Sequence, residues 1–273
     1  TLRWIKAKNL SKTKYSEQAE KIAEETISAY LPHRLNEGYG INANALETIA
    51  RRGYSTIVTV DCGIKARELV KRAKKMGIDF IVTDHHQPEP KDLPQDAVAI
   101  LNPKHSLKEL TAEELKALNI KDIKDHPAYN LPGAGVAYKL AKALLDKAGI
   151  DIKDSFQDSV GFAAIADIVN MEGENRAFAR AALARLGTLR RNKGIGAVIK
   201  ALRIENIDEE ALAFLVAPLF NAAGRFGKAQ LGLKLLMARS EKDAAGIVHE
   251  LLPLLTERRE IERLIMADVE RNL

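Results

Sequence analysis

Acidic side chains and a histidine pair follow two short apolar runs of the chain. The runs are residues 57–60 and 80–82, and the polar residues after them are Asp61, Asp84, His85 and His86. Carboxylate oxygens together with imidazole nitrogens are typical ligands of Mn²⁺, or of Mg²⁺ with more bound water. These residue types therefore predict a divalent metal site. A structural role is the alternative for each residue alone, and Asp61 is also suited to cap the following helix.

A helix must connect these two segments. Apolar residues recur between them at helical spacing and basic residues fill the other faces; the apolar ones are Ala66, Leu69, Val70, Ala73 and Met76. Gly77 follows, at a position where helices often end in a left-handed residue. Strand, helix and strand then form one right-handed βαβ unit with parallel strands. We expect Asp61 and Asp84 side by side at the carboxyl edge of that sheet, where open α/β sheets bind ligands.

A third acid, Asp167, lies in a long apolar segment, residues 156–169, for which the pattern predicts a buried helix. A buried carboxylate without a partner costs free energy, so Asp167 should be paired or bound to a metal. We expect it to be a metal ligand. The alternative is an ion pair or hydrogen bond with a nearby lysine or arginine.

Three polar segments are candidate phosphate contacts. Their candidate residues are His33 and Arg34, then Gly133 and Gly135, then Asn221 and Arg225. The two glycines open a predicted helix, and backbone amides at a helix start bind anions. An arginine guanidinium can clamp a phosphate through two hydrogen bonds. The alternatives are close helix packing for the glycines, and ordinary loop or surface positions for the other four residues.

Composition and charge leave several classes of protein open and exclude others. The chain has 273 residues, of which 46% are hydrophobic and 29% charged, as in a globular protein with a sizeable core. The net charge of +5 fits a solvated basic surface as well as nucleic-acid binding. The single Cys62 excludes an internal disulfide and fits a reducing compartment. With no apolar run of membrane-spanning length and no secretory leader, we expect a cytoplasmic protein.

The overall pattern predicts an α/β fold, with a parallel β-sheet flanked by helices, then a helical region and a long final helix. We predict a further strand at 97–101 and helices at 43–52, 112–118, 136–148, 156–169, 176–186, 194–202, 209–215, 229–238 and 241–273. The domains that correspond are 1–190, 191–240 and 241–273. Only Pro253 is expected to break the final helix. Its mostly polar tail should lean on something outside this chain or bridge two domains.

The N-terminal segment contains an abrupt transition. Residues 15–28 are predicted to be helical and residues 29–32 to end a strand, with no turn residue between them. A helix does not normally pass into a strand within a couple of residues. We therefore predict that a segment is absent from the chain between Glu25 and Thr26.

Five sequence motifs stand in the order found in the DHH phosphoesterase superfamily. They are VDCGI at 60–64, VTDHH at 82–86, LPGAGVAYKLA at 131–141, AAIAD at 163–167 followed by GENR, and APLFNAAGRFG at 217–227. The chain resembles this superfamily from about residue 29 to residue 272, and within it the RecJ-like exonucleases specific for single-stranded DNA. The segment PHRLNEGYG at 32–40 also resembles a loop of the RecJ-like proteins.

The resemblance implies a phosphodiesterase with two divalent metal ions, Mn²⁺ or Mg²⁺, bridged by carboxylates. The implied metal ligands are the bridging Asp61, His85 and the last carboxylate, Asp167. The implied catalytic residues are His86, which approaches the scissile phosphate, and Asp84, the acid of the motif. Arg34 and Arg225 fall in blocks that meet the nucleic-acid backbone. The implied activity is 5′→3′ hydrolysis of single-stranded DNA in repair and recombination.

The resemblance also bears on partners and on rival functions. Single-stranded DNA, or RNA, would be the substrate, with single-strand-binding, replication or repair proteins as partners. Aromatic residues make up only 5% of the chain, which predicts a mainly electrostatic grip on the strand. The superfamily's first motif, an Asp-x-Asp loop, is not in the sequence, and we expect it in the segment that is absent after Glu25. The superfamily's associated C-terminal domain is not in the sequence either, so we expect the chain to be part of a larger protein, with 241–273 as the helix that connects to that domain. The alternatives are an inactive DHH scaffold in replication, and a DHH phosphodiesterase for oligoribonucleotides or small nucleotides.

Overall fold

The computed structural model describes residues 26–152, 155–186 and 192–272. In chain order its strands and α-helices are α1 (Arg34–Glu37), α2 (Ala43–Arg51), β1 (Thr56–Val60), α3 (Arg67–Lys75), β2 (Asp79–Thr83), β3 (Ala99–Leu101), α4 (Pro103–Ser106), α5 (Ala112–Ala117), α6 (Gly133–Lys147), α7 (Gln157–Ala166), α8 (Gly173–Leu186), α9 (Lys193–Ala201), α10 (Ala217–Arg225), α11 (Ala229–Leu236) and α12 (Glu241–Asn272). A π-helical segment, Ala211–Val216, precedes α10. The described parts of residues 1–30 and 40–156 form one compact unit, and those of 31–39 and 157–273 form a second.

The first unit contains a sheet of three parallel strands in the order β1–β2–β3. Val60 of β1 pairs with Thr83 of β2, so the next residue of each strand stands at the same edge. Parallel neighbours need a crossover connection, and α3 supplies it between β1 and β2. The predicted βαβ unit is confirmed, and with it the α/β fold.

The core of the first unit lies between the sheet and the helices α2 and α3. It contains Leu46 from α2, Val70 and Ala73 from α3, and Ile57, Phe80 and Val82 from the strands. The helix α2 begins where Asn42 accepts a hydrogen bond from the amide of Ala45 through its side chain, at 2.8 Å. Helix α6 also packs against β1 and β2. The packing of α2 and α3 against one face of the sheet therefore fixes the position of the strand ends that carry the candidate site.

The second unit is helical in its described residues. Its buried core is built by α7 to α12 and includes Leu212, Leu219, Leu235 and Leu251. Helices α7 and α8 approach closely, since a Cβ atom at Gly161 would lie 2.1 Å from the carbonyl oxygen of Phe178. Only glycine fits at that crossing. One face of the first half of α12 is buried in this core, while the second half exposes apolar residues that include Ile261, Leu264 and Ile265.

Several predicted elements differ from the structure. The helix predicted at 209–215 is observed, but from Ala211 onward it is the π-helical segment, and α10 follows where the sequence predicts no helix. Pro253 lies inside α12 and does not end it. Residues 29–32, expected to end a strand, form none. Most of the predicted helix at 15–28 lies outside the described residues. The predicted break after Glu25 lies at the edge of the described residues and stays a prediction.

No helix among the described residues is both long and apolar enough to cross a membrane. The predicted domain boundaries at residues 190 and 240 stay a prediction. What the structure adds is that segment 31–39 belongs to the second unit although it precedes the sheet in sequence.

Candidate metal centre

Asp61 directly follows β1, and its amide donates a hydrogen bond to the carbonyl oxygen of Thr83 at 3.0 Å. Its φ of 64° places it in the left-handed region, which is uncommon for a residue other than glycine. Strained backbone of this kind is concentrated at functional sites. A capping role is excluded, because α3 begins at Arg67 with Ala66 as its N-cap. The side chain of Asp61 is 55% exposed, so its carboxylate is available to a ligand.

Asp84 directs its carboxylate into its own loop. Its Oδ1 accepts hydrogen bonds from the amides of His85 and His86 at 2.7 and 3.2 Å, and bonds Nδ1 of His86 at 2.7 Å. Its Oδ2 accepts from the amide of Ile64 at 2.9 Å. Burial alone would raise the pKa of Asp84, but these bonds from Ile64, His86 and His85 outweigh it and hold the pKa below its ordinary value. The bonds give Asp84 a positioning role, and a direct catalytic role stays a prediction.

The two histidines converge on Asp61. Nε2 of His85 lies 3.0 Å from Oδ1 of Asp61, and the two imidazole rings lie 4.6 Å apart in an edge arrangement. One ligand atom from each of Asp61, His85 and His86 lies within 4.8 Å of the other two. Because Nδ1 of His86 bonds the Asp84 carboxylate, we assign its proton to Nδ1, which leaves the lone pair of Nε2 to a ligand. The expected meeting of these three side chains is therefore observed.

A second group of residues supports the histidine loop and is not predicted from the sequence. The buried Asn102, at the end of β3, donates from its side-chain amide to the carbonyl oxygen of His86 at 2.9 Å. Nζ of Lys104 donates to the carbonyl oxygen of His85 at 2.7 Å. The only available signal is that Asn102 follows a third strand of the same parallel sheet and so reaches the same edge. These two bonds fix the backbone that carries both imidazoles.

Gly133 and Gly135 serve packing. A Cβ atom at Gly133 would lie 2.4 Å from Oδ1 and 2.5 Å from Cβ of Asp61. A Cβ atom at Gly135 would lie 3.0 Å from Cδ2 of Leu131. The start of α6 thus lies against the Asp61 side chain, and the positive end of the helix dipole favours that carboxylate. Phosphate binding by these glycines stays a prediction.

Cys62 does not add a thiolate to the centre. Burial, followed by the negative charges of Asp84 and Asp61, raises the pKa of its thiol to about 11. Without a metal ion the thiol is therefore protonated at neutral pH, and Cys62 is not among the side chains that converge on the site. Oxygen and imidazole donors remain, and this set suits Mn²⁺ or Mg²⁺ better than soft, thiolate-bound metals.

Asp167 departs from the sequence expectation. Helix α7 ends at Ala166, and the amide of Asp167 bonds the carbonyl oxygen of Ala163 at 2.9 Å in the turn that follows. Ile168 next to it has a φ of 53°. Asp167 is exposed, so the expectation of a buried carboxylate is wrong. Its role as a metal ligand stays a prediction.

The predicted phosphate contacts of the second unit lie on two elements that touch, α1 and α10. A Cβ atom at Gly224 would lie 3.7 Å from Nε of Arg34, and one at Gly227 would lie 2.1 Å from Nε2 of His33. The His33 ring is therefore fixed by a glycine, and its buried Nδ1 has no partner among the described residues. Asn221 and Arg225 are exposed on α10, within one helical turn of each other.

Comparison with known proteins places this geometry in a family. A family model described as the DHH family, N-terminal domain, matches residues 7–164, which is more than half of the chain. The single-stranded-DNA-specific exonuclease RecJ of Bacillus subtilis is 37% identical over 237 residues, covering 86% of this chain and 27% of that protein. The RecJ of Salmonella typhimurium is 33% identical over 260 residues, covering 89% of this chain and 41% of that protein. The chain thus spans well under half the length of these relatives.

Solved structures of RecJ proteins are also similar to this chain. The crystal structure of an exonuclease RecJ bound to manganese matches with a TM-score of 0.73 at 28% identity, covering 88% of this chain and 56% of that chain. RecJ of Thermus thermophilus in complex with Mn²⁺ matches with a TM-score of 0.68 at 28% identity, covering 82% of this chain and 31% of that chain. With the family model covering the sheet, the histidine pair and Asp61, the chain belongs to the DHH family.

Proposed function

We propose that this protein is the catalytic part of a metal-dependent nuclease that hydrolyses phosphodiester bonds in single-stranded DNA, as a RecJ-like exonuclease. The observation that carries the proposal is the convergence of Asp61, His85 and His86 within 4.8 Å at the carboxyl edge of a parallel sheet. The names of the relatives, single-stranded-DNA-specific exonucleases, supply the substrate class.

The donor set fits a divalent cation. Asp61 offers a carboxylate oxygen and His85 an imidazole nitrogen, with Asp167 as the predicted further carboxylate. Mn²⁺ or Mg²⁺ at such a site supplies an activated water and neutralises charge on the phosphate oxygens. The left-handed backbone of Asp61 and the missing side chain of Gly133 fix where the carboxylate stands before any ligand binds.

The residues of the chain have distinct tasks in this proposal. His86 is 58% exposed and presents Nε2 to solvent, so it can donate a hydrogen bond or proton to a phosphate oxygen once protonated there. Asp84 sets the tautomer of that imidazole and keeps its ring in place. Asn102 and Lys104 donate to the carbonyl oxygens of His86 and His85, so the backbone that carries both imidazoles cannot move away without breaking a hydrogen bond.

The substrate would be gripped by cations of the second unit. Arg34 and Arg225 have no carboxylate partner among the described residues, so their guanidinium groups are available to phosphates. Single-strand-binding, replication or repair proteins are proposed as partners on the likeness to RecJ alone. A cytoplasmic location is proposed because the one cysteine, Cys62, is free, as in a reducing compartment.

The test is degradation of a 5′-labelled single-stranded oligonucleotide by the full-length protein in Mn²⁺, with Mn²⁺ affinity measured separately by electron paramagnetic resonance. We expect Asp61→Asn and His85→Ala to lose degradation, by at least about 10²-fold, and to bind Mn²⁺ more weakly. Asp79→Asn, an exposed acid at the opposite end of β2, is the matched control and should behave as wild type. Undiminished activity in Asp61→Asn would refute the site.

The same assay separates the rival functions. A protein that cleaves dinucleotides faster than long strands would be a phosphodiesterase for small nucleotides. A protein that binds Mn²⁺ or DNA but cleaves neither long strands nor dinucleotides would be an inactive scaffold.

A further inference from the structure

Thr83 is the last residue of β2, and its exposed fraction is 0%. It pairs with Val60, the last residue of β1, so it stands opposite the strand end that leads into Asp61. A polar side chain that is buried this completely almost always makes a hydrogen bond. The bonds of Thr83 connect the two strand ends that carry the candidate metal centre.

Thr83 bonds the backbone of β1 on both sides of Val60. Its hydroxyl donates a hydrogen bond to the carbonyl oxygen of Thr59 at 2.6 Å. Its own carbonyl oxygen accepts a hydrogen bond from the amide of Asp61 at 3.0 Å. One residue of β2 therefore holds the chain immediately before and immediately after the end of β1. The first of these bonds needs the threonine hydroxyl, whereas the backbone of any residue could supply the second.

The segment held in this way has a strained backbone. Asp61 has a φ of 64°, and Gly63 follows with a φ of 106°. Such a φ is unfavourable for aspartate and persists only where the surrounding structure holds it. The turn rests on Thr59, since a Cβ atom at Gly63 would lie 2.8 Å from Oγ1 of Thr59. That hydroxyl has no hydrogen-bond partner among the described residues, so the bond from Thr83 to the Thr59 carbonyl fixes the support beneath the turn.

We propose that the Thr83 hydroxyl is a positioning group of the metal centre, which holds the end of β1 so that the carboxylate of Asp61 stays beside the imidazole of His85. The proposal rests on the proposed function, because the position that it preserves is that of a ligand for the divalent cation. Oδ1 of Asp61 and Nε2 of His85 lie 3.0 Å apart. Without the hydroxyl bond the turn can relax toward an ordinary φ, which carries the carboxylate away from the imidazole. Thr83 thus acts through the backbone of Asp61 and does not itself bind the cation.

The test is an Mn²⁺ titration of the full-length protein, followed by electron paramagnetic resonance. Thr83→Val removes the hydroxyl and keeps the branched shape, and it should weaken Mn²⁺ binding roughly ten-fold, as for the loss of groups that orient metal ligands. Thr83→Ser keeps the hydroxyl but loses a buried methyl group, so it should unfold at a lower urea concentration and still bind Mn²⁺ as wild type does. Thr56→Val, the same replacement at the exposed start of β1, is the control and should bind Mn²⁺ as wild type does.

The dependence of cleavage on Mn²⁺ concentration gives a second readout. In Thr83→Val the Mn²⁺ concentration for half-maximal cleavage should rise by the same factor as the dissociation constant. The KM for single strands at saturating Mn²⁺ should stay as in wild type, because the substrate contacts are unchanged. A role confined to folding would lower the stability of Thr83→Val and leave its Mn²⁺ affinity unchanged, and that result would overturn the proposal.

The serine variant keeps the proposal testable if Thr83→Val does not fold. Weakened Mn²⁺ binding by folded Thr83→Ser would overturn the role of the hydroxyl, and so would an equal loss of affinity in Thr56→Val. If the Mn²⁺ affinities follow the predicted order but no variant and no wild-type protein cleaves single strands, the proposed nuclease function fails while the positioning role stands. If wild type binds no Mn²⁺, both fail.

Discussion

At the scale of single residues, the loop that carries His85 and His86 is held by the carboxylate of Asp84, which points into the loop and not towards Asp61. Asp84 accepts hydrogen bonds from Ile64, His85 and His86, and the imidazole of His86 is oriented by one of them. A buried carboxylate bonded in this way stabilises the fold only while it is ionised. The stability that it contributes must therefore depend on pH.

We predict that Asp84→Asn lowers the free energy of unfolding by roughly 1.5–3 kcal/mol at pH 7, the range for hydrogen bonds to a charged group. The folded-state pKa of Asp84 lies below its ordinary value of about 3.9. Its stabilising contribution is thus present above that ordinary value and is lost as pH falls through the lower, folded-state pKa. Urea unfolding in EDTA at pH 7 and at pH 3 should show the difference between wild type and variant shrinking at pH 3.

Asp79→Asn is the control for this comparison, because Asp79 is exposed. It should change the free energy of unfolding by less than about 0.5 kcal/mol at either pH. A gap between wild type and Asp84→Asn that stays constant, or widens, on acidification would contradict the ionised, hydrogen-bonded carboxylate.

The sequence predicts some of these residues and not others, for physical reasons. Asp61, His85 and His86 follow parallel strands, and the register of such strands brings their ends together whatever the side chains. Asp84 lies just past the end of β2, where the alternation of side chains along a strand no longer applies, so the sequence pattern does not predict its inward carboxylate. The apolar neighbours of Asp167 predict that it is buried, but helix α7 ends just before it and the residue is exposed.

At the scale of elements, the site depends on how closely α6 approaches β1. The local sequence indicates that residues 131–135 start a helix, but it does not indicate which element that helix packs against. Likewise, α10 is not predicted, because Pro218 and Gly224 are residues that rarely favour helices. Pro218 occupies the first turn, where a missing amide costs little, and the buried Leu219, Ala222 and Ala223 supply the packing. Tertiary contacts therefore decide both elements.

We predict that Gly133→Ala displaces the Asp61 carboxylate, since the added methyl group would lie 2.4 Å from its Oδ1. Metal affinity should fall by about 10–100-fold, as for the loss of groups that orient metal ligands. Mn²⁺ titration followed by electron paramagnetic resonance measures this in the full-length protein. Gly246→Ala, on α12 where a Cβ atom meets nothing within 4 Å, is the matched control and should bind Mn²⁺ as wild type does. Wild-type affinity in Gly133→Ala would contradict the contact.

At the scale of the whole molecule, the order of the five motifs predicts the family, and family membership fixes the α/β fold. The division into units is not predicted. Segment 31–39 belongs to the helical unit, although the sheet lies between it and the rest of that unit in sequence. Contacts between residues so distant in the chain, such as Arg34 with α10, leave no periodic signal. The contact between the two segments that are proposed to bind phosphate is therefore not predicted by the sequence pattern alone.

A net charge of +5 is small for a protein proposed to bind a polyanion, so the proposed binding must rely on few, well-placed cations. Each phosphate that a cation neutralises releases counterions, so the affinity for single strands falls as salt concentration rises. In a plot of the logarithm of affinity against the logarithm of salt concentration, the slope is about −0.7 for each phosphate contact. We predict that Arg225→Ala reduces the magnitude of that slope by about 0.7. The measurement is fluorescence anisotropy of a labelled oligonucleotide over a salt range of roughly 50 to 300 mM. Arg263→Ala is the control, because Arg263 is already paired with Glu260 at 2.7 Å on the exposed part of α12. An unchanged slope in Arg225→Ala, or an equal change in Arg263→Ala, would show that the charge of α10 acts only through the general field and contacts no phosphate.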